Sequence, residues 1–266
     1  AVRERAVLDL SGVLDDELEK RGGRRLLDEV ELPLVGVLAS MERAGIAVDV
    51  DRLESLESSF GDAVKRAADD AYAAIGHEVN LGSPKQLQVV LFDDLQMPKT
   101  KRTKTGYTTD ADALAELYAK TEHPFLEALL RHRDAARLRV TVEGLLKSVD
   151  DDGRIRTTYN QTIASTGRLS STDPNLQNIP IRTDEGRQIR EAFIVGPECE
   201  ALRSADYSQI EMRIMPHLSD DAGLAEAFAS GTDFHAVTAA RVFGVPADEV
   251  TGSMRARSTV MNFGLA

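Results

Sequence analysis

The chain has 266 residues, 42% of them hydrophobic, enough for one large core or two ordinary ones. No apolar run reaches membrane-spanning length, the first residues do not resemble a secretory signal, and the single cysteine, Cys199, excludes an internal disulfide and fits a cytoplasmic setting. A net charge of −12 argues against a protein that coats nucleic acid over its whole surface. It leaves room for a local basic groove, because phosphate binding depends on where Lys and Arg sit.

Residues 1–30 are acidic and helical in pattern, broken at Gly22-Gly23. A helix is expected from about Leu32 to Ala44, with Leu34, Leu38 and Met41 on one side and Gly45 as its stop. Ile46-Ala47-Val48 reads as a short strand. Leu53, Leu56, Phe60, Val64, Ala68, Ala71 and Ile75 then recur at steps of three and four, and Gly76 ends the run. Ser83-Pro84 is an N-cap and first-turn pair for a helix carrying Leu87, Val90, Leu91 and Leu95. Lys99–Tyr107 is a basic, polar loop, Asp110 caps the next helix, and Phe125 to about Leu146 is helical with arginines on its outer side.

Near Asp150 the period changes. Asp152-Gly153 signals a hairpin turn, Arg154–Asn160 has the alternation of a strand, and Ala192–Val195 and Ala201–Ala205 read as two more. Two later helices are signalled by Thr232-Asp233 and Pro246. Basic residues gather in three groups: Lys99, Lys101, Arg102 and Lys104; Arg131, Arg133, Arg137 and Arg139; Arg182, Arg187 and Arg190. Each is ordinarily a solvated face.

Two stretches carry chemistry. Thr166–Pro180 is turn-rich, yet it concentrates Arg168, Asn175, Gln177 and Asn178, side chains suited to phosphates and to the acceptor-lined minor groove. In Ser204–Arg213 a carboxylate, Asp206, leaves a strand end, and a second, Glu211, opens a helix. Asp at such a place is ordinarily a turn or cap residue, and Glu in a first turn is favoured by the helix dipole alone.

In order and spelling these two stretches resemble the family A DNA polymerases of the bacterial DNA polymerase I type. The similarity continues through Asn80–Leu87, Lys101–Tyr107 and Asp233-Phe234-His235-Ala236, so it covers nearly the whole chain. It implies an α+β fold, a helical thumb domain followed by an incomplete antiparallel β palm and the first fingers helices. Residues 1–30 would be the tail of an exonuclease-like domain, 31–150 the thumb, 151–215 the N-terminal part of the palm and 216–266 the start of the fingers.

The resemblance also implies roles. Asp206 would be catalytic and would bind Mg2+ with the carbonyl of Tyr207, in a two-metal displacement on the incoming nucleotide. Gln209, Glu211, His235, Arg255 and Phe263 would contact the deoxynucleoside triphosphate, Glu211 excluding a ribose 2′-hydroxyl. Arg168, Asn175 and Gln177, with Lys101, Arg102 and Lys104, would hold primer-template DNA, and a monomer is expected. Arg255, Thr259 and Phe263 fall at i, i+4 and i+8 and so share one helix face.

The sequence departs from the family at four places. Thr259 stands where the family has a lysine for the triphosphate, and loss of such a cation weakens transition-state stabilisation. Arg203 interrupts the strand before Asp206, and Pro216 would kink or end the helix begun near Gln209. The sequence also stops before the family's second catalytic aspartate. The expectation is therefore a polymerase by descent, inactive as these 266 residues alone. The alternatives are a non-catalytic duplex-DNA-binding module and, less in keeping with Arg168–Gln177, a helical interaction protein. Magnesium-dependent primer extension by the 266-residue chain by itself would contradict the expected inactivity.

Overall fold

Caps and glycines set most helix boundaries in this computed structural model, which describes residues 2–104, 106–181, 183–220, 225, 228–229, 231 and 233–265. The chain divides into two units, Ala1–Leu202 and Arg203–Ala266. In the first, α1 (Val2–Lys20) ends before Gly22, whose φ of +69° lies in the left-handed region. α2 (Arg24–Leu26) runs through a π-helical stretch, Leu27–Glu31, into α3 (Leu32–Ala44). Leu38 is buried as expected, but Met41 is exposed, so the inward stripe of α3 is narrower than its spacing predicts.

Gly45 stops α3 with φ +57° and ψ −168°, and β1 (Ile46–Ala47) follows. The long α4 (Val50–Ile75) is capped by Asp49, which accepts from the Arg52 amide at 2.9 Å, and is closed by Gly76. Ser83 caps α5 (Pro84–Gln88), which widens into π-type turns over Val89–Asp94. β2 (Arg102–Thr103) and β3 (Gly106–Tyr107) make an antiparallel hairpin of the expected basic loop. Asp110 caps α6 (Ala111–Thr121), and α7 (Pro124–Lys147) runs back along α4.

α4 and α7 share two apolar clusters. In one, Ala71 meets Leu87, Leu91, Leu114, Phe125, Leu126 and Leu129; in the other, Leu53, Leu56 and Phe60 meet Leu138, Val142 and Leu145. Ile155, Ile179, Ile189 and Ala192 complete the second, so the segment after α7 is fastened to the helix pair by apolar burial.

The strands are shorter than the sequence pattern suggests. Arg154–Asn160 splits into β4 (Arg154–Ile155), paired with β1, and β5 (Thr158–Asn160), paired with β6 (Ser170–Thr172). Thr157 interrupts it: this buried residue's hydroxyl is drawn to the carbonyls of Thr172 (3.0 Å) and Pro174 (2.8 Å). Of the expected strand Ala192–Val195, one bridge forms, Val48 with Phe193. Ala201–Ala205 forms no strand. Its residues are exposed and no described strand pairs with it, so neither a buried face nor a ladder supports extended pairing. A helix absent from the sequence reading, α8 (Asp184–Arg190), is capped by the Thr183 hydroxyl.

β4 also closes α3. Arg154 Nε donates to the Ala44 carbonyl and Arg156 Nε to that of Arg43, both at 3.0 Å, so two cations sit at the negative end of the helix. The Arg156 guanidinium in turn holds the Asp152 carboxyl down to about 2.

In the second unit, α9 (Ile210–Ser219) continues through Pro216, so of the expected kink or end the end does not occur. Proline at the seventh position of the helix removes one amide donor, that toward the Met212 carbonyl, while its ring is buried beside the buried Met212. α10 (Phe234–Phe243) begins at the Asp233 cap; the Thr232 part of that signal lies outside the described residues. Pro246 introduces only a 3-10 turn, Ala247–Glu249, and α11 (Gly252–Leu265) starts later. The described residues are thus mostly helical, with small antiparallel sheets, and none of their helices is long and apolar enough to cross a membrane.

Two glycines separate steric from conformational requirements. A Cβ on Gly45 would lie 2.7 Å from the Ile155 carbonyl oxygen, whereas one on Gly76 meets nothing within 4 Å. Gly45→Ala is expected to lose about 2–4 kcal/mol and Gly76→Ala about 1 kcal/mol in denaturant unfolding of the chain.

Candidate functional site

The basic hairpin β2–β3 is held from beneath. Tyr107 lies edge-on to Phe92 at 5.2 Å, its amide donates to Gln88 Oε1 at 2.9 Å, and Lys99 Nζ sits 5.1 Å above its ring. Thr100 and Thr108 close the base of the hairpin through a hydroxyl–carbonyl bond of 2.6 Å. Arg133 of α7, half-buried, donates to the Thr109 carbonyl. Asp110 beside it is kept below the usual carboxylate range, first by the Thr108 hydroxyl and then by the Ala113 amide. Lys101, Arg102 and Lys104 remain exposed, with no ion pair among the described residues.

The other two basic groups are spent within the fold. Arg131 pairs with Asp70 at 3.0 Å, Arg137 with Asp134 at 3.4 Å, and Arg139 with Glu57 at 2.7 Å and Glu143 at 3.1 Å. Arg187 pairs with Asp184, and Arg190 Nη2 donates to the Ile179 carbonyl at 3.2 Å. Arg182 lies outside the described residues.

The Thr166–Pro180 stretch is a loop around β6, turning through a cis Asp173–Pro174 bond. Its polar side chains fold it. Asn175 Oδ1 accepts from the Gln177 amide at 3.0 Å, and Gln177 Nε2 donates to the Leu169 carbonyl at 3.1 Å. Ser171 Oγ accepts from the Leu176 amide at 3.1 Å. Arg168, Asn175 and Gln177 are all exposed in this first unit.

In the second unit, Asp206 and Tyr207 lie on exposed, irregular backbone, and Tyr207 is 80% exposed. Gln209 takes a left-handed conformation (φ +55°) just before α9, and Glu211 is exposed in its first turn. Both Asp233 oxygens are used. Oδ1 accepts from the amides of His235 (3.0 Å) and Ala236 (3.3 Å) and from Gln209 Nε2 (3.2 Å), while Oδ2 accepts from Arg255 Nε at 2.7 Å. Burial opposes the Asp233 carboxylate, but the Arg255 guanidinium and the Ala236 amide outweigh it and hold its pKa below the ordinary value.

His235 is buried, its ring 5.7 Å from that of Phe263. Asn262 Nδ2 donates to its Nδ1 at 2.9 Å, which places the imidazole proton on Nε2. Burial, reinforced by Arg255, pushes the His235 pKa below 6.5, against the smaller pull of Asp233. Thr259 lies on the same face of α11 as Arg255, its hydroxyl turned to the Arg255 carbonyl at 3.0 Å. Gln209, His235, Arg255 and Phe263 thus meet around Asp233 and Asn262, whereas Asp206 and Glu211 are exposed and no bond links them to this cluster among those described.

No three His, Cys, Asp or Glu side chains among the described residues form a group able to hold a metal. Asp206 and the Tyr207 carbonyl are nonetheless hard oxygen donors, and Mg2+ commonly takes one or two carboxylates and completes its shell with water and phosphate oxygens. They fit as part of a ligand set.

Residues 50–266 match the family model described as DNA polymerase family A. The chain belongs to that family. It is 64% identical to DNA polymerase I of Mycobacterium tuberculosis over 265 residues, covering 100% of this chain and 29% of that protein. Against DNA polymerase I of Geobacillus stearothermophilus the identity is 45% over 262 residues, with 98% and 30% covered. Among solved structures, the POL domain of Pol1 from M. smegmatis, in complex with DNA primer-template and dNTP, superposes with a TM-score of 0.93 at 63% identity. This match covers 99% of this chain and 47% of that one. The family A chain described here thus spans under a third of the curated relatives it matches.

Two residues of this cluster were given no role in the sequence reading. Asp233 was legible as a helix cap and as the first residue of the Asp233–Ala236 motif, although a capping carboxylate has a second oxygen left for another donor. Asn262, one helical turn before the chain's end, had no signal of its own beyond its place next to Phe263. The buried state of His235 makes a prediction. Its folded pKa is depressed, so the stability it contributes is present above about pH 6.5 and lost as pH falls through the lower folded value. NMR titration of the His235 ring is expected to give a midpoint below 6.5; one at or above that value would contradict the buried, neutral imidazole.

Proposed function

We propose that this sequence serves template-directed addition of deoxynucleotides to a primer 3′ end, the reaction of a DNA-directed DNA polymerase in replication and repair. Family membership supports it, and so does the M. smegmatis relative, whose structure is a complex with DNA primer-template and dNTP. The observation that carries it within this chain is the meeting of Gln209, His235, Arg255 and Phe263, residues far apart in sequence, in one polar and aromatic cluster.

On this reading, residues 31–150 are the thumb, 151–215 the first part of the palm and 216–266 the start of the fingers, with 1–30 the tail of an exonuclease-like domain. Lys101, Arg102 and Lys104 on their anchored hairpin grip duplex phosphates. Arg168 reaches the primer-end minor groove from a loop that Asn175 and Gln177 stiffen while keeping amide protons for the duplex. His235 offers its Nε2 proton, and Arg255 its charge, to the triphosphate, Phe263 packs on the nucleotide, and Glu211 excludes a ribose. Asp206 and the Tyr207 carbonyl would hold Mg2+, which when bound supplies activation of the primer hydroxyl and charge neutralisation on the phosphates.

The test uses the longest native polypeptide that contains this sequence. Asp206→Ala is expected to abolish primer extension with little change in primer-template affinity. Arg168→Ala is expected to weaken duplex binding and lower its salt slope by about one ion. Thr259→Lys restores a cation to the phosphate-facing side of α11 and is expected to raise kcat/KM for dNTP about tenfold or more. Duplex binding with no extension by the wild-type polypeptide would assign a DNA-binding module instead.

A further inference from the structure

Asp233 stands apart from every other acidic side chain described in the second unit. It is the only one there that joins three separate segments: the turn before α9 through Gln209, the start of α10 through the His235 and Ala236 amides, and the first part of α11 through Arg255. Three of the residues it holds, Gln209, His235 and Arg255, are those read above as nucleotide contacts. With Thr259 uncharged, Arg255 is the cation that this face of α11 offers, and its direction is set by the 2.7 Å bond from its Nε to Asp233. A guanidinium held by Nε keeps its two terminal nitrogens for a second anionic partner.

We propose that Asp233 is a positioning residue for nucleotide binding, orienting the Arg255 guanidinium and fixing the helix start that carries His235, without itself touching the nucleotide. The inference rests on the reading of Gln209, His235 and Arg255 as nucleotide contacts. Two features favour positioning over a purely architectural role. The cap of α10 needs only Oδ1, so the contact to Arg255 is additional to it. Both side chains of the pair are part-exposed, 44% for Arg255 and 39% for Asp233, so the pair adds little to folding stability and acts mainly on side-chain direction.

The experiment is a double-mutant cycle in the longest native polypeptide containing this sequence, read by fluorescent dNTP binding and by steady-state extension. Asp233→Asn keeps an N-cap oxygen for the His235 and Ala236 amides and removes the charge that faces Arg255. It is expected to raise the dNTP Kd and KM about tenfold, with primer-template affinity unchanged and kcat altered much less. In an Arg255→Ala background the same change is expected to have almost no further effect. Asp233→Ser, also a capping residue, repeats the arm if the Asn variant unfolds.

Multiplicative effects of the two substitutions, or tighter nucleotide binding by Asp233→Asn, would overturn the proposal. The second of these outcomes would show the carboxylate to be a competitor for Arg255. If Arg255→Ala leaves nucleotide affinity unchanged, or the wild type binds no nucleotide, the nucleotide-site reading itself fails and this inference falls with it.

Discussion

The packing of α4 against α7 is the constraint on which the first unit depends. Each helix contributes to both apolar clusters, so the hairpin at one end and the β1–β4 pairing at the other are organised by one helical pair. Ion pairs from Arg131 and Arg139 lie along the same interface. They are part-exposed and add specificity of alignment more than stability; burial of Leu53, Phe125 and Leu129 supplies the driving force. A loop such as Lys99–Tyr107 can then carry several like charges, because its backbone is fastened to this core by Tyr107, Gln88 and Arg133 rather than by neutralising its cations.

This arrangement reconciles an acidic protein with the nucleic-acid role proposed for it. Most arginines of α7 and α8 are matched to carboxylates or carbonyls nearby, which leaves the hairpin cations as the exposed group without ion pairs among the described residues. Positive charge is therefore local in its effect despite the net charge of −12. In the second unit one carboxylate, Asp233, gathers donors from three segments.

Helices were legible in the sequence where apolar periodicity ends at a glycine, as at Gly76, or where a cap opens the run, as at Asp110 and Asp233. Strands were legible only in part, as at β1, β4 and β5, because pairing is non-local: Ala201–Ala205 has a strand-like spelling but no partner among the described strands, and Thr157 breaks a good pattern through bonds to residues fifteen and seventeen positions away. α8 was hidden by its shortness and polar composition. Motif order nominated Gln209, His235, Arg255 and Phe263, which the fold brings together. Composition could not reveal that Asn175 and Gln177 bond within their own loop, since the same amides suit a turn and a groove. The role of Asp233 needed coordinates, because its partners come from both sides in sequence.

The arginines at the end of α3 bear on the order in which the chain assembles. The carbonyls of Arg43 and Ala44 find their donors in Arg156 and Arg154, more than a hundred residues later. Until α4 and α7 have closed the intervening loop, the last turn of α3 has only water to satisfy those groups. Its consolidation therefore belongs to the late, topology-limited phase of folding, and on a ribosome it waits until β4 has emerged.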